Sequence, residues 1–245
     1  MEVLDREQDI RVSNLGDRTT GGPAGHPEAL LVRCLIDQRV RQIFVPEDST
    51  AEAPDFTAAT GVYHDLAQIF PDAELAVGLP VAAVMAAHGP VRAAVAAEAA
   101  QLAPQAFILV VQETAIADHG APALAALARY RDRGFGLALA CTQEFLLPYA
   151  APARALFDEI RVPTRAIRAA IDQPGDVWSC RATRRIAAGR GAGARLVAVG
   201  SDAPQGAAGL GFSRWQCDRS TADGSGDLHP ATIGDVARAL RAHCV

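Results

Sequence analysis

Between about residues 54 and 217, short continuous apolar runs alternate with longer segments whose apolar positions recur three and four residues apart. The runs are ELAVGLP (74–80), AFILVVQET (106–114), FGLALA (135–140), DEIRVP (158–163), ARLVAVG (194–200) and the weaker GFSRWQ (211–216). Apolar runs without alternation predict strands buried on both faces. The segments at 54–70, 90–104, 121–134, 144–156 and 164–188 predict helices, with proline at several starts and Gly134 just past one end. A polar loop (218–231) and a closing amphipathic helix (233–244) complete the pattern.

Strands separated by helices of this length predict βαβ units and a parallel sheet. Six or seven such strands, with one or two more in the weakly patterned first 53 residues, suit a closed (β/α)8 barrel of TIM type. No proline- or serine-rich linker interrupts the chain before residue 218, so one domain over 1–245 is expected.

The segment PEALLVRCLIDQRV (27–40) fits two readings. Its apolar positions match a 3.6-residue period, with proline in the first turn, which gives an amphipathic helix; equally, it supplies the first strand of the barrel. Under the helix reading, the first strand would be VRQIFVP (40–46).

Composition narrows the chemistry. The net charge is −5, which argues against a duplex nucleic-acid binder. No apolar run is long enough to cross a bilayer and the N-terminus is acidic and polar, so a cytoplasmic protein without membrane partners is expected. All 23 basic residues are arginine, which rules out a Schiff-base, general-base or P-loop lysine. Five scattered cysteines form no CxxC pair, and the six histidines include no HExxH, so no metal ion or other cofactor is expected. The glycine run GRGAG (189–193) sits between a helix and a strand; a phosphate loop needs the opposite order, and a helix end explains it better. No GxSxG elbow occurs.

Barrel chemistry sits at strand ends. Here those ends read Gly78, Val110 to Glu113, Ala140-Cys141, Arg161, Val199 with Asp202, and Gln216. In order and spacing these positions resemble the EAL domain family of cyclic di-GMP phosphodiesterases. The resemblance rests on VGLP (77–80), LVVQE (109–113), GFGLALACTQ (134–143), DEIRVP (158–163), AVGSDAPQ (198–205) and GFSRWQC (211–217), and covers about residues 74 to 217. It implies a modified TIM barrel that hydrolyses cyclic di-GMP with two divalent cations. The family's metal-ligand asparagine falls on Gly78, a metal-ligand glutamate on Val110 and the paired aspartates on Ala140 and Cys141. The family's lysine falls on Arg161 and the glutamate of its A-E-G motif on Val199. Glu113, Asp202 and Gln216 keep polar groups at other motif positions. A literal EAL stands at Glu28 to Leu30, but the family's arginine four residues on is Val32; a shift of one residue puts Arg33 there and Ala29 in the glutamate's place.

On this resemblance the chain is expected to be a degenerate, non-enzymatic member of the family. It would act as a regulatory protein-interaction module in cyclic di-GMP signalling, in motility or cell-surface control, with a partner protein or a second copy of itself. The alternative is a receptor that binds cyclic di-GMP without cleaving it, through Arg33, Glu113, Arg161, Asp202 and Gln216. A third reading, an unrelated barrel enzyme with Cys141 as nucleophile, needs a histidine base that the sequence does not place nearby.

Overall fold

The computed structural model describes residues 30–46, 53–142, 155–172, 177–200 and 205–217. Its eight strands close into one barrel in sequence order: β1 (Leu30–Cys34), β2 (Val40–Val45), β3 (Glu74–Gly78), β4 (Phe107–Gln112), β5 (Gly136–Ala140), β6 (Glu159–Pro163), β7 (Arg195–Gly200) and β8 (Phe212–Cys217). Strands β2 to β8 run parallel, while β1 is antiparallel to both neighbours, pairing Val32 with Gln42 on one side and with Gln216 on the other. The sheet is therefore the expected α/β barrel with one reversed strand.

The helix reading of 27–40 is corrected. A helix at this point would leave the edges of β2 and β8 unpaired, whereas an extended LLVRC satisfies both ladders at once. The tight connection to β2 is held by Cys34 N donating to Arg39 O (2.8 Å) and Arg39 N donating to Asp37 Oδ1 (3.0 Å), with Gln38 in the left-handed region at φ +57°.

The helices clothe the barrel: α1 (Phe56–Ala67), α2 (Val81–Met85), α3 (Gly89–Ala99), α4 (Glu113–His119), α5 (Ala121–Asp132), α6 (Thr164–Asp172) and α7 (Val177–Gly191). The short α2 and α4 are additions to the expected pattern; β4 stops at Gln112 and Glu113 already belongs to α4. Asp55 caps α1, accepting a hydrogen bond from Ala58 N at 2.9 Å. Gly134, at φ +96°, ends the turn after α5, where a side chain would be strained. The GRGAG run is a helix end, as expected: α7 continues to Gly191, Gly193 has φ +77° and Ala194 N returns to Gly189 O at 3.0 Å. The expected helices at 144–156 and 233–244 and the polar loop fall wholly or almost wholly outside the described residues, and no helix among those described is long and apolar enough to cross a membrane.

Two apolar layers result from the alternation of side chains along each strand. Inside the barrel, Val32, Phe44, Ala76, Ile108, Val110, Ala138 and Val197 pack together. Outside, between sheet and helices, lies the larger core, centred on Phe56, Phe107, Phe135 and Tyr130, whose rings meet at 4.9 to 6.3 Å.

Candidate functional site: the strand-end rim and the polar lumen

Because β2 to β8 are parallel, their C-terminal ends gather at one rim. Register fixes what faces inward there: Gly78 lies beside Val110, and Val199 lies between Pro163 and Gln216. Val110 is buried, with Leu30, Ala140 and Val199 packed against the same inner cluster. Among the described residues the inner rim is apolar. Of the positions that sequence reading aligned with metal ligands, Gly78 lies beside Val110 in the ladder, Val110 and Ala140 belong to the inner cluster, and Cys141 packs on the outer side of the sheet; none is a carboxylate or an amide.

The lumen's polarity lies deeper. Arg161, at the middle of β6, is buried, and its guanidinium is saturated by the barrel itself. Nε donates to Glu159 Oε1 (2.8 Å), Nη1 to Gln216 Oε1 (2.7 Å) and Nη2 to Gln42 Oε1 (2.5 Å). Gln42 Nε2 donates to Glu159 Oε2 (3.2 Å), and Arg161 Cζ stands 4.3 Å from the centroid of the Phe44 ring. Towards the N-terminal mouth, Glu74 accepts from Arg195 (2.6 Å) and Arg214 (2.7 Å), and both of these arginines reach within 3.9 Å of Glu159. Three guanidiniums and two carboxylates from four strands thus interlock. Burial lowers the pKa of Arg161, Glu159 opposes that by attraction, and Arg214 and Arg195 add to the lowering by repulsion. For Glu74, burial pushes upward, but the hydrogen bonds and charges of Arg214 and Arg195 outweigh it and hold the carboxyl below its ordinary value.

A second buried cluster lies on the outer side of the sheet. Glu113 Oε1 accepts from Arg185 Nη2 (2.8 Å), and Oε2 accepts from Thr142 N (2.9 Å) and Thr142 Oγ1 (3.0 Å). Arg185 Nη1 approaches Cys141 Sγ at 3.6 Å. Burial pushes the Cys141 thiol up to about 12, despite the opposing pull of Arg185. A neutral, enclosed thiol of this kind is no nucleophile, so the cysteine-enzyme reading falls.

The five residues singled out from the sequence therefore do not form one site. Arg161 and Gln216 meet, but inside the lumen and bonded to each other. Glu113 belongs to the outer cluster. Arg33 is exposed, donating to Gln38 O at 3.2 Å, while Val32 is fully enclosed in the lumen, since adjacent strand residues face opposite sides. Asp202 and Glu28 lie outside the described residues. Sequence reading missed Gln42, Glu74, Glu159, Arg185, Arg195 and Arg214. One signal was available: Glu159 and Arg161 are two apart in a strand and so share a face.

The two cations implied by the resemblance do not fit the described residues. Glu113 is the one carboxylate placed by them at the strand ends, and Arg185 and Thr142 already neutralise and saturate it. Among the described residues no group of three or more His, Cys, Asp or Glu side chains could hold a metal.

No family model and no curated protein matches the sequence. Solved structures do match the fold. The PaMucR phosphodiesterase in complex with cyclic di-GMP superposes with a TM-score of 0.60 at 14% identity, over 78% of this chain and 93% of that one. The EAL domain of Mycobacterium smegmatis DcpA gives 0.62 at 15% identity, over 78% of this chain and 88% of that one. Klebsiella pneumoniae BlrP1, in a calcium and cyclic di-GMP complex, gives 0.62 at 17% identity, over 82% of this chain and 56% of that one. The chain also spans 59% of the EAL enzyme Bd1971. The barrel is thus that of EAL domains, as the motif order implied. One expectation is overturned: structures sharing this barrel are described as a phosphodiesterase and as an EAL enzyme, so the assignment of the chain as a non-enzyme is withdrawn.

Proposed function

We propose that this EAL-type barrel is a regulatory module of cyclic di-GMP-related signalling that works by binding a partner protein on its helical outer wall. One observation carries the reading. Seven large hydrophobic side chains are exposed among the described residues, and four of them, Val81, Met85, Val91 and Val95, lie on the consecutive helices α2 and α3. Val81 and Met85 are four residues apart, as are Val91 and Val95, so each pair shares one face of its helix; apolar residues grouped on a surface, unlike ones scattered singly, mark an interaction site. The test places a photo-crosslinking amino acid at position 95 and, as a control, at exposed position 177 on α7 in the native host. A discrete crosslinked partner from position 95, absent from position 177, is expected; equal labelling from both sites would overturn the proposal.

The alternative, cyclic di-GMP as a ligand, has its own support in the shared barrel of structures solved as cyclic di-GMP complexes. The apolar inner rim weighs against it, since a dianion needs charged or hydrogen-bonding partners. Calorimetric titration with cyclic di-GMP, with and without magnesium, decides it, and chromatography of the same mixture reads turnover directly.

A further inference from the structure

The outer wall of the barrel is closed over most strands and open along one seam. From β2 to β7 the outward apolar side chains are buried, as at Ile43, Leu75, Leu109, Leu137, Ile160 and Leu196. On the adjoining β1 and β8 they are not. Leu31 and Trp215 are half-buried, and Arg33, which pairs in register with Trp215, is exposed. The indole Nε1 of Trp215 donates to Gly200 O at 3.2 Å, which ties the ring to the end of β7. The layout of the chain explains the gap. A tight hairpin joins β1 to β2 with no covering helix, and among the described residues one 3-10 turn (Ala207–Leu210) stands between β7 and β8.

A sheet of this kind is buried on both faces, and right-handed winding lays each connection over the groove that leads to the next strand. For β8 that next strand is β1, so the seam lies where the chain beyond Cys217 would return. Residues 218–245 are outside those described, and their sequence predicts a helix over 233–244. Ile233, Val236, Ala237 and Leu240 recur at the spacing of one helical face, with Asp235 and Arg238 on the other. Thr232, with Asp235 three residues on, has the form of a capping box. Residues 1–29, which lead into β1, carry no stripe of that kind. The lengths also agree. A helix over 233–244 is about 18 Å long and a six-residue strand about 20 Å. The residues from 218 to 232 can span up to about 50 Å, well over the length of the seam.

We infer that the β8–β1 seam is the docking site of the chain's own segment 233–244, which lies on it as a helix, sets Val236 and Leu240 against Leu31 and Trp215, and clasps the one reversed strand into the barrel. The inference is independent of the partner-binding reading, which concerns α2 and α3.

The test uses the full chain, with a photo-crosslinking amino acid in place of exposed Arg33 and, as a control, of exposed Val177 on α7. Mass mapping is expected to find a link within one molecule from position 33 to a peptide of 233–244, and none to that peptide from position 177. The link should be lost in Leu240→Asp and kept in Ala242→Asp, which places the same charge on the opposite helical face. Trp215 gives a second readout in a Trp178→Phe chain, where it is the one tryptophan left. There Leu240→Asp should shift the emission to the red and open the indole to acrylamide quenching, while Ala242→Asp should do neither. Circular dichroism checks each variant, and the link from position 33 in the otherwise unaltered chain decides the matter should Leu240→Asp fail to fold. Links from position 33 to residues 1–29, to a second molecule or to nothing overturn the inference, as does Trp215 emission indifferent to Leu240→Asp.

Discussion

Arg161 shows how much one side chain can be asked to do. Its guanidinium satisfies an acid and two amides from three other positions in the lumen, so truncating it abandons a buried carboxylate. Arg161→Met is expected to cost about 3–5 kcal/mol in urea unfolding, towards the lower end because Arg195 and Arg214 stand 3.9 Å from the same Glu159 oxygen. Arg161→Met/Glu159→Gln should recover part of that loss, and full additivity of the two changes would show that the pair is not coupled. At Cys141 the expectation concerns reactivity. With its thiol near 12 and enclosed, alkylation at pH 8 should mark exposed Cys180 within minutes and reach Cys141 only on unfolding, as read by peptide mass mapping. That Arg161 was polar and on a strand was legible in the sequence; that its charge would be consumed internally was not. Its partners Gln42 and Gln216 stand far from it in the chain, and no local pattern announces a pairing that only closure of the barrel creates.

Among the elements, legibility followed redundancy. The apolar runs of β4, β5 and β7 left no competing period, and the proline and glycine punctuation of α5 marked both of its ends. The segment that became β1 satisfied helical and extended periods alike, and the choice fell to the unpaired edges of β2 and β8, which no local sequence window contains. The short α2 and α4 escaped for a related reason: a five- or seven-residue helix carries too few turns to show periodicity. The packing of α2 against α3 and α5 is open to direct test. Gly89→Ala forces a methyl group onto a backbone carbonyl and should cost about 1–3 kcal/mol by urea midpoint. Tyr130→Phe removes one buried hydrogen bond and should cost about 0.5–1.5 kcal/mol. Because both changes act on Ala83 O, their effects should not add.

At the scale of the molecule, the charged N-terminal mouth makes stability depend on acid. Glu74 has a folded pKa held below its ordinary 4.5, so its contribution is complete above that value and is lost as pH falls through the lower folded value. Stability measured from pH 7 downwards should therefore decline below about 4.5, and Glu74→Gln should flatten that decline; an unchanged slope would show that Glu74 does not drive it. The closure itself hangs on β1. A chain lacking residues 1–38 would present two open sheet edges and is expected to aggregate, detectable by gel filtration, rather than to persist as a seven-stranded monomer.

The reversal of β1 has a mechanical consequence. Leu30 and Cys217 lie at the same end of an antiparallel pair, so tension applied between them would part β1 from β8 one hydrogen bond at a time, as a zipper opens. Tension between Cys34 and Cys217 would instead load those bonds together, in shear. The barrel is built to yield along one axis and to resist along another, and the direction of a pull, more than its size, would decide whether the ring opens.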